Sequence, residues 1–285
     1  ILLFDHMPFF LYRTGPKRVP VNCGHRTGQG DRKRDTMRIA SFGDLHLGHT
    51  SVLDKFRGKE EHLLRFDDHL SRTHDRIILM GDIYQTDYGV YPGSRSDVLE
   101  AILKRYSRIF RRWGSPRYRS IFGNHDLITQ KRLGTSKQIK INKDGWRIWL
   151  IHGHQFDPFI REKSHLPFLV TWLIGGMRRQ GLRRLADFLE GPLYDFGQRV
   201  FQRLEMAART ALISGKNHII VMGHSHQMTC RPLEKGIYVN SGACSSNSMR
   251  YVSIDTATRV VEVRVFKPSE AHATLLRCQN AAHPL

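Results

Sequence analysis

The chain has 285 residues, 45 Lys+Arg against 26 Asp+Glu, and a formal charge of +19. With 40% hydrophobic and 25% charged residues, its composition excludes a disordered or fibrous chain and allows one large domain or two small ones. The charge points to an anionic partner, whether nucleic acid, a phosphorylated metabolite or an acidic membrane face, without choosing among them.

Residues 1–36 show no period and are rich in Gly, Pro, Arg and Lys. Met37 opens a clean strand, so 1–36 is expected to be a leader and Met37 the natural start. From there strands and helices alternate. Residues 38–42 read as a strand, 60–74 as a helix with apolar residues at 63, 64, 66 and 70, and 76–80 as a buried strand. A helix is predicted over 96–113, its outer face basic with Lys104, Arg105, Arg108, Arg111 and Arg112. A strand follows at 119–122, then a hairpin, 137–141 and 146–151, around Asn142-Lys143-Asp144-Gly145. Residues 158–214 read as helices broken at Gly175-Gly176 and Gly191-Pro192. Strands are expected at 217–222, 236–240, 250–255 and 260–266, with a loose tail over 268–285. The alternation argues an α/β fold, and the late strand meander adds antiparallel pairs.

The apolar run from Leu166 to Met177 is too short for the roughly 20 residues of a spanning helix. The cysteines at 23, 230, 244 and 278 form no CxxC. That argues against a structural zinc site and a disulfide framework, and makes a reducing cytoplasm the expected location.

Chemistry concentrates where strands end. The predicted strands are followed in turn by Gly43-Asp44-Leu45-His46, Gly81-Asp82, Gly123-Asn124-His125-Asp126, His152-Gly153-His154 and Gly223-His224-Ser225-His226. In α/β sheets ligands sit at the carboxyl ends of strands, so these blocks should share one rim. Carboxylate, imidazole and amide oxygen are donors for divalent metals. Asp44, His46, Asp82, Asn124, His152, His224 and His226 are too many donors for one ion and suit two. Burying seven such groups without partners would be costly, which weighs against a structural reading. Asp54, Asp67, Asp68 and Asp87 are expected to be solvated, and His49 to be a loop residue.

The ordered blocks GDLH, GD, GNHD, HGH and GHSH resemble the calcineurin-like metallophosphoesterase family. The resemblance implies a sandwich of two mixed sheets flanked by helices, spanning 37–267. It implies two divalent metals, manganese first, with iron or zinc as alternatives. Asp44, His46, Asp82 and His226 would hold one metal; Asp82 would bridge; Asn124, His152 and His224 would complete the second. A metal-bridging hydroxide would attack phosphorus in line. Asn124 would also touch the phosphate, and His125 would be the general acid, oriented by Asp126.

The 72 residues from His152 to His224 are too many for a loop, so 158–214 is expected to be a helical insertion capping the rim. Its apolar first part is followed by Arg178, Arg179, Arg183 and Arg184, which are candidates for substrate binding. Such a surface suits a lipid-linked phosphate, or peripheral contact with an anionic membrane on the inner face of the cell membrane. The placement is similar to the UDP-2,3-diacylglucosamine pyrophosphatase branch of the family, although that branch has Arg where this chain has His125. The alternatives are a phosphodiesterase acting on nucleic acid through the basic 104–119 face, or on a cyclic nucleotide, and a metal-containing binding scaffold without activity.

Overall fold

The computed structural model describes residues 36–279 except 90, 92–93, 159, 161–164 and 268–272. The expected leader thus lies outside the described residues, apart from Thr36.

Two mixed sheets stack face to face. The first has six strands, in spatial order β11 (Ala273–Gln279), β10 (Val260–Phe266), β9 (Met249–Asp255), β1 (Arg38–Phe42), β2 (Arg76–Leu79) and β3 (Tyr118–Ser120). The second has five, in order β4 (Gln138–Lys143), β5 (Trp146–Ile151), β6 (Ile219–Met222), β8 (Gly236–Asn240) and β7 (Thr229–Leu233). Alternation along each strand builds the layers. In β1, Ile39 faces the space between the sheets and Ala40 and Phe42 face outward; in β6, Ile219 and Val221 face inward and Ile220 and Met222 outward. Both faces are covered, so these strands read as unbroken apolar runs.

Helices α1 (Glu60–Thr73), α2 (Arg95–Arg105) and α3 (Ser107–Trp113) cover the first sheet, and the short α4 (Ile128–Leu133) follows β3. The helix predicted over 96–113 is therefore two, parted at Tyr106. The hydroxyl of Tyr106 is drawn to the buried carboxylate of Asp54. The other side of the sandwich carries α5 (His165–Arg179) and α6 (Arg183–Ile213). The helices break at 180–182 rather than at the expected Gly-Gly and Gly-Pro pairs. Gly175 lies inside α5, where a Cβ would come within 2.6 Å of the Tyr88 ring, so that glycine serves close packing and not chain reversal. In the C-terminal half of α6, Val200, Leu204, Ala208 and Leu212 form a buried stripe at helical spacing against Ile220, Met222 and Tyr238 of the second sheet.

Two strands escaped the sequence reading. The region expected to be a loose tail contains β11, an edge strand paired antiparallel to β10, with Leu276 and Cys278 turned toward the inter-sheet core. β7 carries Pro232, which pairing tolerates because β7 is the edge of the second sheet. Cys230 of β7 and Cys278 of β11 are disulfide-bonded, with Cα atoms 6.1 Å apart, where no disulfide was expected. Cys244 is a buried free thiol. No helix among the described residues is long and apolar enough to cross a membrane.

Candidate metal centre

β1, β2 and β3 run parallel, as do β5 and β6, so the carboxyl ends of five strands from both sheets point the same way. Asp44 and His46 follow β1, Asp82 follows β2, Asn124 and His125 follow β3, His152 follows β5, and His224 and His226 follow β6. His46 Nε2 lies 3.3 Å from His226 Nε2. His226 Nε2 lies 3.3 Å from Asp44 Oδ1, and His152 Nε2 lies 3.3 Å from Asp82 Oδ2. Three overlapping sets have donor atoms within 4.8 Å of one another: Asp44, His46 and His226; His46, Asp82 and His125; Asp82, His152 and His224. Asp82 belongs to two of them.

The backbone bends sharply to bring them there. Asp44, His46, Asp82, His224 and His226 all have left-handed backbones, with φ of 53°, 49°, 49°, 65° and 56°. Asp and His enter this region more readily than other side chains, but it still costs on the order of 1–3 kcal/mol per residue. Behind the turns, the buried Asn240 amide donates to Gly223 O at 2.7 Å and to Ser225 Oγ at 3.1 Å, pinning the last block. Gly123 lies against Asp82 so closely that a Cβ would come within 2.1 Å of Asp82 Oδ1 and 2.5 Å of the Asp82 nitrogen.

The donor set fits divalent cations. Both carboxylate oxygens of Asp44, Oδ1 of Asn124 and Nε2 of His152 are buried without a hydrogen bond among the described residues; such orphaned atoms call for a partner. Each of three imidazoles has one ring nitrogen committed and the other facing the cluster. His152 Nδ1–H donates to Met80 O at 2.8 Å, His46 Nδ1–H donates to Gln85 Oε1 at 2.8 Å, and His224 Nε2–H donates to Asp157 Oδ2 at 3.1 Å. This is how metal-ligating histidines are usually oriented.

The electrostatics agree. Burial pushes the Asp82 carboxyl up, but His152, His125 and His46 hold it well below the usual range; Asp44 is likewise lowered, against burial, by His226 and His152. Burial works against a proton on His152, yet Asp82 and Asp44 draw its pKa up to about 9. The carboxylates thus call for positive charge at this point. Burial pulls His46 down to about 3, leaving a neutral imidazole.

His125 is held by groups other than the expected Asp126. Its Nδ1 lies 3.1 Å from Asp87 Oδ2 and 3.3 Å from Gln85 Nε2. Burial lowers its pKa, but the charges of Asp82 and Asp87 more than offset that and raise it. Asp126, expected to orient His125, turns away: Oδ1 accepts from Gly123 N at 2.6 Å and Oδ2 from Ile83 N at 2.8 Å. Burial and the neighbouring Asp82 push Asp126 up to about 7. Asp126 ties the second and third strand ends together, and Asp87 is the carboxylate beside His125. Asp87 was expected to be solvated but is buried and also paired with Arg95 at 2.8 Å.

His154 packs near His152 and His224 and is held neutral by burial, with a pKa of about 3. It belongs to none of the three donor sets. Gln85, Asp87 and Asp157 are the polar groups the sequence reading missed. Asp87 and Asp157 each lie five residues past a candidate ligand, Asp82 and His152, and that recurrence is the one signal that could have found them. Replacing Asp87 with Asn should slow hydrolysis of an alkyl phosphodiester about 10- to 100-fold, while a p-nitrophenyl ester, whose leaving group needs no acid, stays near the wild-type rate. An equal loss on both substrates would refute a role through His125.

The arginines divide. Arg178 is buried and paired with Asp187 at 2.6 Å; Arg179 donates to Tyr88 O at 2.8 Å; Arg183 and Arg184 are exposed. Thus Arg179 fastens the insertion to the loop after β2. The basic face of α2 and α3 is largely spent within the fold. Arg105 pairs with Asp54 at 3.5 Å, Arg108 with Glu61 at 3.1 Å, and Arg112 with Asp67 at 3.2 Å and Asp68 at 2.6 Å. Asp54 and Asp67 are buried rather than solvated; the exposed Asp68 fits its expectation.

Among solved structures the chain is similar to the phosphoesterase YfcE of E. coli (13% identity, 85% of this chain and 98% of that one, TM-score 0.43). A conserved phosphoesterase-like protein of Streptococcus pneumoniae TIGR4 is comparable (14%, 84% and 98%, TM-score 0.42), as is zinc-complexed Vps29 of Entamoeba histolytica (13%, 85% and 98%, TM-score 0.42). These likenesses are too distant to carry a functional argument, and no curated protein sequence matches. The model of the calcineurin-like phosphoesterase family matches residues 37–228, all five strand-end blocks included; the chain belongs to that family.

Proposed function

We propose that the protein is a two-metal phosphoesterase acting on a phosphate ester or phosphoanhydride, with a lipid-linked diphosphate of the UDP-acylglucosamine type as its favoured substrate. One observation carries the reading. Five donor-bearing residues accept left-handed backbones to aim orphaned oxygens and free ring nitrogens at one place, a cost that folding alone does not explain.

Asp44, His46, Asp82 and His226 would hold one ion, and Asp82, Asn124, His152 and His224 the other. Manganese suits this oxygen- and nitrogen-rich set, as iron or zinc would. The ions supply Lewis acidity and an ionised water at neutral pH. The protein's part is to hold them and to present His125 to the leaving group as a proton donor, with Asp87 and Gln85 fixing the ring.

The lipid-linked assignment rests on the insertion. Leu169, Leu173, Leu182, Leu185 and Phe188 are exposed there, Phe188 at 74%, beside the exposed Arg183 and Arg184. Apolar side chains rimmed by arginines suit an acylated substrate at an anionic membrane face. Single-stranded nucleic acid is disfavoured because Arg105, Arg108 and Arg112 already have acidic partners.

Manganese-loaded protein should hydrolyse a UDP-linked diacylated sugar faster than bis-p-nitrophenyl phosphate or single-stranded DNA, and EDTA should abolish all three activities. Turnover indifferent to EDTA would end the two-metal reading. DNA as the best substrate would replace the lipid-linked one.

A further inference from the structure

Arg95 opens α2, at the positive end of the helix dipole, where an acid would suit the helix better than a cation. Its neighbours explain it. Arg95 Nε–H donates to Asp87 Oδ1 at 2.8 Å, and the guanidinium carbon lies 4.2 Å from the centre of the Phe168 ring of α5. Asp87 is buried, and its other oxygen, Oδ2, lies 3.1 Å from His125 Nδ1. Contacts therefore run unbroken from the insertion through Arg95 and Asp87 to His125.

The rest of α5 grips the same loop. Gly175 and Arg179 share a helix face with Phe168. Gly175 packs on the Tyr88 ring, and Arg179 donates to Tyr88 O at 2.8 Å. On the near side of Asp87, Thr86 Oγ1–H donates to His125 O at 2.6 Å. Residues 85–88 thus hold His125 at one end and are held by the insertion at the other. We infer that Arg95 is a positioning residue through which the insertion keeps His125 aimed at the leaving group. Its charge on Oδ1 fixes the plane of the Asp87 carboxylate, so that Oδ2 faces the imidazole. A guanidinium can pair with a carboxylate along its edge while stacking on an aromatic ring by its face, which an ammonium cannot do in the same way. The inference rests on the phosphoesterase reading and adds to it a dependence of the proton donor on the insertion.

The first readout is the ratio of diethyl phosphate to bis-p-nitrophenyl phosphate turnover by manganese-loaded protein, because only the alkyl leaving group needs an acid. Arg95→Met should lower that ratio about tenfold. Phe168→Ala and Arg95→Lys, which lose the stack but keep the charge, should lower it about two- to fivefold. Arg95→Met added to Asp87→Asn should cost no more than Asp87→Asn alone. The second readout is the His125 ring resonances in the nitrogen-15 NMR spectrum of zinc-loaded protein, assigned by their loss in His125→Gln. They should move in Arg95→Met as they do in Asp87→Asn. An unchanged ratio, equal loss on both esters, additive losses in the double variant or unmoved His125 resonances would each overturn the role of Arg95. If wild type hydrolysed neither ester while the His125 resonances still moved, the phosphoesterase reading would fall and the hold of Arg95 on His125 would stand.

Discussion

Asp82→Asn should lower kcat/KM for any substrate by more than about 10³-fold, beyond the usual cost of deleting one electrostatic contact at a reacting centre. The substitution keeps size and removes charge. Asp82 is the carboxylate common to two donor sets, and its charge is the first of those drawing the His152 pKa up and a principal one acting on His125. Its Oδ1 also accepts the His125 backbone N–H at 2.8 Å, a contact that the Asn oxygen can retain. The loss should therefore appear in bound metal, counted by elemental analysis, as well as in rate, with circular dichroism unchanged. A variant with near-normal turnover and two ions bound would remove Asp82 from the centre.

Gly123→Ala should reach a similar end by a steric route. The added methyl would come within 2.1 Å of Asp82 Oδ1, so either the carboxylate or the third strand end must shift. A displacement of about 1 Å at a reacting centre costs on the order of 10²-fold in rate. No charge is lost, so metal affinity should fall less than in Asp82→Asn while kcat falls steeply. Wild-type activity in Gly123→Ala would mean that the close approach of these two strand ends is not needed for chemistry.

The two variants probe the part of the molecule most legible in the sequence. Donor residues directly after apolar strands can be read locally, because strand polarity alone decides where a strand's end points. The partners of those donors could not be read that way. Asp87 and Asp157 look like ordinary surface acids until the loops fold back over His125 and His224. Asp126 follows His125 in the chain, yet its side chain turns to the backbone of Gly123 and Ile83. Adjacency in sequence does not set direction in space. β7 and β11 were hidden for a different reason. Edge strands bury one face and pair on one side, so their apolar signal is weak. In the insertion, Gly175 reads as a break because its use, contact with Tyr88, lies outside the helix.

The candidate donors come from both layers of the sandwich: Asp44, His46, Asp82 and Asn124 from the first sheet, His152, His224 and His226 from the second. An ion held by both groups is then a clasp as well as a reagent, fastening the two sheets at one end while Cys230–Cys278 joins them between β7 and β11. Folding and metal supply become one equilibrium. At a free-ion concentration 100 times the dissociation constant, the folded chain gains about 2.7 kcal/mol. The protein's resistance to heat would thus report on metal supply, even in a variant whose chemistry has been removed.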